Sequence, residues 1–141
     1  MHHDGVTVEE AEKVLRENFA PWVLDLGLRV EDVGKGTARV RLPWSDRLAR
    51  EGGGLSGQAM MAAADTATVI AVSGARDGFV PMTTVQLNTT FQRPVKDADV
   101  LVDVRLTKLG RTLAFADIAI TADGRPDDLV AHATTVYAIL G

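Results

Sequence analysis

The chain has 141 residues, 46% hydrophobic and 24% charged, with a net charge of −4 and a pI of about 5.3. That length suits one domain, 1–141, with a real core, and the composition is ordinary for a globular protein. The acidic balance and scattered basic residues argue against a nucleic-acid surface, and with no cysteine there is no disulfide, thiol catalysis or Cys-ligated zinc.

The opening residues, MHHDGVTVEEAEK, are polar and acidic and lack the apolar stretch of a signal peptide. His2 and His3 read as part of a terminus rather than as metal ligands. Thr7 followed three residues later by Glu10 is a capping-box pattern, and Val8, Ala11, Val14, Leu15 and Phe19 make one apolar stripe. The spacing predicts a helix over about 7–19, ended by Pro21. Residues 27–33 and 37–42 alternate across Gly34-Lys35-Gly36, a hairpin signal closed by Pro43. A charged loop, 44–51, leads to the run Gly52-Gly53-Gly54. Beyond a long central stretch, four further strands are expected at 83–93, 100–109, 112–121 and 129–140, with turns at Gly110-Arg111 and Asp123-Gly124.

The central stretch, LSGQAMMAAADTATVIAVSGA (55–75), is rich in Ala and Met and free of Pro, and reads as one long helix. Its Gly, Gln, Ser, Thr and Asp content makes it a poor membrane span, so a buried helix is expected and the cytoplasm is the expected location. Asp65 is its only ionisable side chain. An unpaired carboxylate is costly to bury, and its neighbours Ala64, Ala67, Val69 and Ile70 offer little polar surface, so a functional aspartate is expected. Residues three, four and seven positions away share its face, which places Gln58 and Thr68 beside it on an apolar stripe. At the helix start the first backbone amides lack intrahelical partners and can hold an anion or a developing oxyanion.

Two strands, a helix and four strands do not make a parallel βαβ sheet. The pattern predicts an α+β fold in which an antiparallel sheet of about six strands wraps around one long helix. Gly52-Gly53-Gly54-Leu55-Ser56-Gly57 fits G-x-G-x-x-G formally, but the preceding SDRLARE is no buried strand, so the glycines read as a flexible approach to the helix. Ser56 as a nucleophile would need a histidine base, and outside the terminus only His132 exists; helix N-cap is the expected role. The alternation of 83–93 places Val85, Leu87, Thr89 and Phe91 on one side and Thr84, Gln86, Asn88, Thr90 and Gln92 on the other, a polar face suited to a subunit boundary. Arg93, Lys96, Lys108 and Arg111 sit at strand ends or turns, as solvated charges or as contacts for the phosphates of a large anionic substrate.

These segments together resemble the hotdog-fold acyl-CoA thioesterases, in the branch named for the phenylacetate-degradation (PaaI) thioesterase. The carriers are GLSGQAMMAAADTA (54–67), TTVQLNTTFQRPVK (83–96), LGRTLAFADIAITADG (109–124) and AHATTVY (131–137), which in this order span nearly everything after Pro21. The resemblance implies hydrolysis of an acyl-CoA-type thioester by a homodimer or dimer of dimers, with coenzyme A only as part of the substrate and no metal or redox cofactor. Asp65 would be the catalytic carboxylate, as general base or nucleophile, and the Gly57 amide would polarise the thioester carbonyl. Thr84, contributed across the dimer, would place the attacking water. Ser56, Gln58, Thr68, Arg93 and Arg111 would meet the substrate. The family pattern has His-Gly-Gly where this chain has Ser56-Gly57-Gln58, and Asn where it has Arg50. Two alternatives stand beside this reading: a non-catalytic acyl-CoA-binding protein that has lost that His, and a hotdog hydratase or dehydratase, which would need a His paired with the acid.

Overall fold

A computed structural model describes residues 5–141; His2 and His3 lie outside the described residues. Helix α1 (Val8–Asn18) opens with the expected capping box: Thr7 Oγ1 accepts from the Glu10 amide at 3.1 Å, and Glu10 Oε1 accepts from the Thr7 amide at 2.8 Å. Pro21 does more than end this helix. It occupies the first position of a one-turn helix, α2 (Pro21–Leu24), where a missing N–H costs nothing.

Strands β1 (Arg29–Gly34) and β2 (Thr37–Leu42) form the hairpin, with Gly36 at φ 87° in its turn. The central helix, α3, runs Gly57–Ala75, and β3 (Met82–Phe91), β4 (Val100–Leu109), β5 (Leu113–Ala122) and β6 (Leu129–Ile139) complete the chain. All six strands join one antiparallel sheet in the order β1-β2-β4-β5-β6-β3. Val40, Leu42, Val100, Val102, Ile118 and Ile120 are essentially solvent-free on the face that curls over α3. Each such side chain contributes about 1.5–3 kcal/mol on leaving water.

Thirteen of the 19 residues of α3 are buried, because the sheet covers most of its circumference. Small residues make that possible: Ala63, Ala64, Ala67 and Ala71 have no accessible surface. Gly74 is the tightest approach, since a Cβ there would stand 2.1 Å from the backbone oxygen of Gly34. Gly74→Ala therefore forces β1 away from the helix and should destabilise by about 1–3 kcal/mol, despite the better helix propensity of Ala. Thermal melting of the variant checks this; an unchanged or raised melting temperature would contradict the packing.

On the outer surface Arg41 gathers three carboxylates, Asp123 and Asp99 at 2.9 Å and Glu31 at 2.5 Å. Asp99 also accepts from the Trp44 amide at 2.6 Å, and that bond, with Arg41, holds its carboxyl below the usual range. This network ties β1 and β2 to the loops before β4 and after β5. Its role is structural. Among the described residues no helix is long and apolar enough to cross a membrane.

Candidate active site

The approach to α3 is tightly held. Gly52 and Gly53 take φ of 84° and 87°, which side chains resist, and Arg50 N–H donates to the Gly54 carbonyl across the turn they make. Leu55 N–H and Ser56 N–H are bonded to the carbonyls of Val95 and Leu48. The glycine run is thus a fixed turn, where the sequence suggested a flexible approach. Ser56 is the N-cap: its Oγ accepts from the Ala59 amide at 3.2 Å. Gly57 and Gln58 follow at the first two helical positions, and no hydrogen bond within the described residues occupies their amides. Phe91 of β3 closes over Gly57, where a Cβ would meet its ring at 3.1 Å.

Two clefts meet at this helix start, and exposed Gln58 lines both. One, of about 500 Å³, runs past Gly57, Phe91, Arg93 and Arg50. The other, of about 340 Å³, is bounded by Trp22, Leu26, Leu48 and Ala59 with Ser56 and Arg47 at its edge. Arginines border the first, and an exposed Trp walls the second.

Asp65 lies two turns further on, half-buried in a pocket of about 220 Å³ with Phe19, Phe79, Thr84 and Tyr137. Thr84 Oγ1 donates to its Oδ1 at 2.9 Å, and the Tyr137 hydroxyl donates to the same oxygen at 2.5 Å. Burial, and then the charge of Asp65, push the Tyr137 phenol well above its ordinary value. Thr84 therefore sits beside the Asp65 of its own chain, whereas the resemblance implied a contribution across the dimer. Strict alternation also placed Thr84 on the polar side with Gln86 and Asn88. A bulge between Thr84 and Gln86 shifts the register, so Thr84 shares the helix-facing side with Leu87, Thr89 and Phe91, and only Gln86, Asn88 and Thr90 keep the outer side.

Not every expected residue arrives at the site. Thr68 is fully buried, its hydroxyl satisfied by the Ala64 carbonyl at 3.0 Å and Thr135 Oγ1 at 2.9 Å, so it packs the core and does not meet a substrate. Arg93 borders the cleft at Gly57, but Arg111 lies at the other end of α3, where its carbonyl accepts from Arg76. His132 pairs with Asp117 at 2.6 Å across β5 and β6, on the sheet face away from α3. It cannot serve Ser56 or Asp65. Tyr137 was not anticipated, although a lone Tyr at an inward position of a strand signals a hydroxyl that needs a partner. Among the described residues no three His, Asp or Glu side chains group as metal ligands.

Asp65 and Gly57 are eight residues apart on one helix, or roughly 12 Å. One carbonyl group cannot touch both within a single chain. What the chain presents is a held carboxylate at one place and a pair of free amides at another.

An antiparallel sheet of six strands wrapped around one long helix is the hotdog fold. The family model of the thioesterase superfamily matches residues 52–128, which include Asp65 and Gly57. The chain belongs to the thioesterase superfamily, and so to the hydrolases of thioesters and esters. A protein of Halobacterium salinarum described as a candidate esterase is 31% identical over 114 residues, 74% of this chain and 75% of that one. The E. coli PaaI protein, from the phenylacetic acid degradation operon, superposes with a TM-score of 0.80 at 17% identity, over 95% of this chain and 96% of that one. A Streptococcus pneumoniae thioesterase protein solved with coenzyme A gives 0.73 at 18% identity, covering 81% and 86%. The two structural likenesses show that the chain shares the fold of the PaaI protein and of that thioesterase protein.

Proposed function

We propose that this protein hydrolyses an acyl-CoA-type thioester in a site assembled from two copies of the chain. The observation that carries the reading is the placement of Asp65: an anion held by two hydroxyls, in a pocket, on the helix whose start offers free amides. Water attacking the thioester carbon would give its proton to Asp65, while the oxyanion forms at the Gly57 amide, aided by the helix dipole. Collapse would expel the thiolate, which recovers that proton as thiol. If Asp65 attacks directly, an acyl anhydride forms first and water cleaves it. In a single turnover in heavy-oxygen water, label appearing in Asp65 would show attack by Asp65 followed by water cleaving the anhydride at the aspartyl carbon, because direct attack by water leaves label only in the released acid.

The second copy is supported by the sheet edges. β1 is short, bulged and carries Glu31 and Asp32, all guards against edge pairing. β3 is ten residues long, pairs only with β6, and exposes Val85 (59%) and Phe91 (44%). Pairing β3 antiparallel with its own copy about its middle would put the Thr84–Asp65 end of one chain opposite the Phe91–Gly57 end of the other. Two equivalent sites would result. Arg50 and Arg93 border the Gly57 cleft and suit the phosphates of coenzyme A, the group bound in the S. pneumoniae neighbour.

Ser56 stands where the family pattern has His. Its cap uses only an oxygen lone pair, so the hydroxyl proton would remain free for the thioester. Ser56→Ala should lower kcat/KM by roughly 1–2 kcal/mol of transition-state stabilisation and cost about 1 kcal/mol of stability, so kinetics and melting are measured together. Ser56→His should keep or raise turnover. If wild type and Ser56→His both bind acyl-CoA and neither releases thiol above background, the hydrolase reading fails in favour of a binding protein. A hydratase or dehydratase would need a histidine beside Asp65, and none of the described residues provides one.

A further inference from the structure

Both donors at Asp65 fall on a single oxygen. Thr84 and Tyr137 are directly opposite one another on β3 and β6, so two hydrogen-bonded strands present both hydroxyls to Oδ1 together. Tyr137 is only 4% exposed, which leaves its ring no room to swing. Its oxygen also stands 3.0 Å from the backbone carbonyl of Asp65. A phenol has one proton, and the shorter contact to a charged acceptor takes it, with the carbonyl as a secondary acceptor. Oδ2 has no hydrogen-bond partner among the described residues. With its titration pushed upward by burial, Tyr137 keeps its proton and is a fixed donor, not a proton carrier.

We infer that Tyr137 is a positioning residue for hydrolysis: with Thr84 it pins Oδ1 of Asp65 and leaves Oδ2 as the oxygen that meets water or the thioester carbon. This rests on the reading of Asp65 as the reacting carboxylate. The last torsion of an aspartate is broad and two-fold, so an unheld carboxylate presents either oxygen over a wide arc. Reaction rewards the small fraction of that arc in which an oxygen is aligned, and one pinned oxygen fixes the other. Merely satisfying a buried phenol would need only the Asp65 carbonyl. The 2.5 Å contact to the carboxylate goes beyond that requirement.

The test compares wild type, Tyr137→Phe, Asp65→Asn and the double variant, by thiol release from a panel of acyl-CoAs and by thermal melting. Tyr137→Phe should lower kcat by about tenfold or more while KM stays within about twofold, the loss expected of a hydrogen bond to a charged group. In the Asp65→Asn background the same change should not slow the residual rate further. Equal losses in the two backgrounds would overturn the inference. So would a Tyr137→Phe protein with a lowered melting temperature but wild-type kcat per folded molecule. If Tyr137→Phe does not fold, Thr84→Val removes the other donor, and wild-type kcat there overturns the pinning. Wild-type turnover by Asp65→Asn would instead sink the reading of Asp65, whereas its loss beside a fully active Tyr137→Phe would sink only the role of Tyr137.

Discussion

Asp65→Asn is expected to lower kcat by about 10²-fold or more, the loss that follows removal of a positioned base or nucleophile. The expectation rests on chemistry with little change of shape. Asn keeps an oxygen that can accept from Thr84 and Tyr137, so the hydrogen bonds that seat the side chain against β3 and β6 can survive. It loses the charge, and with it the ability to take a proton from water or to attack a carbonyl carbon. Folding should therefore be retained, and circular dichroism and melting provide that control. Hydrolysis at the wild-type rate by a folded Asp65→Asn protein would show that the carboxylate is a structural anchor.

Gly57→Pro should give a second large effect, through the backbone. Pro is favoured at the first helical position and lacks the N–H that would hold the oxyanion. Ser56 precedes it at φ −68° and ψ 145°, a conformation a following Pro accepts, and its cap bond to Ala59 is untouched. The nearest atoms to a Cβ added at this position belong to the tip of the exposed Phe91 side chain. Loss of one oxyanion donor is expected to cost about 10²–10³ in kcat.

The same variant tests whether the site is shared. In a mixture of Gly57→Pro and Asp65→Asn chains, a mixed dimer would contain one site with both native groups and one with neither. Equal amounts, dissociated and reassociated, should recover about a quarter of wild-type activity from two nearly inactive proteins. Absence of recovery, with mixed dimers shown to form, would mean that Gly57 and Asp65 do not act across the interface. Light scattering that finds a fully active monomer would exclude the shared site altogether.

Much of this was legible in the chain because the signals are local. Thr7 and Glu10 cap α1 through bonds three residues apart, and Ser56 caps α3 in the same way. Alternation marked every strand to within about two residues, the usual error of boundary assignment. Asp65 stood out as the one charge in a helix that had to be buried. Its distance from Gly57 also followed from helix rise alone. These are properties of short segments, and the segments form as their residues require.

Tertiary structure decided which side chains meet. Helical spacing put Thr68 on the Asp65 face, but the sheet closes over that part of α3, and Thr135 of β6 turns the hydroxyl into a core contact. Arg111 read as a substrate contact by charge alone, yet the β4–β5 turn carries it to the far end of the helix from Arg93. Thr84 reaches Asp65 only because one residue is inserted into β3 at Val85, and a single insertion moves a side chain to the opposite face of a strand. Tyr137, 72 residues from Asp65, arrives through the pairing of β6 with β3. Neither a bulge nor a strand partner leaves a periodic mark in the sequence. Both are set by how six strands must register to bury one helix, and that register is what aims two hydroxyls at a single carboxylate oxygen.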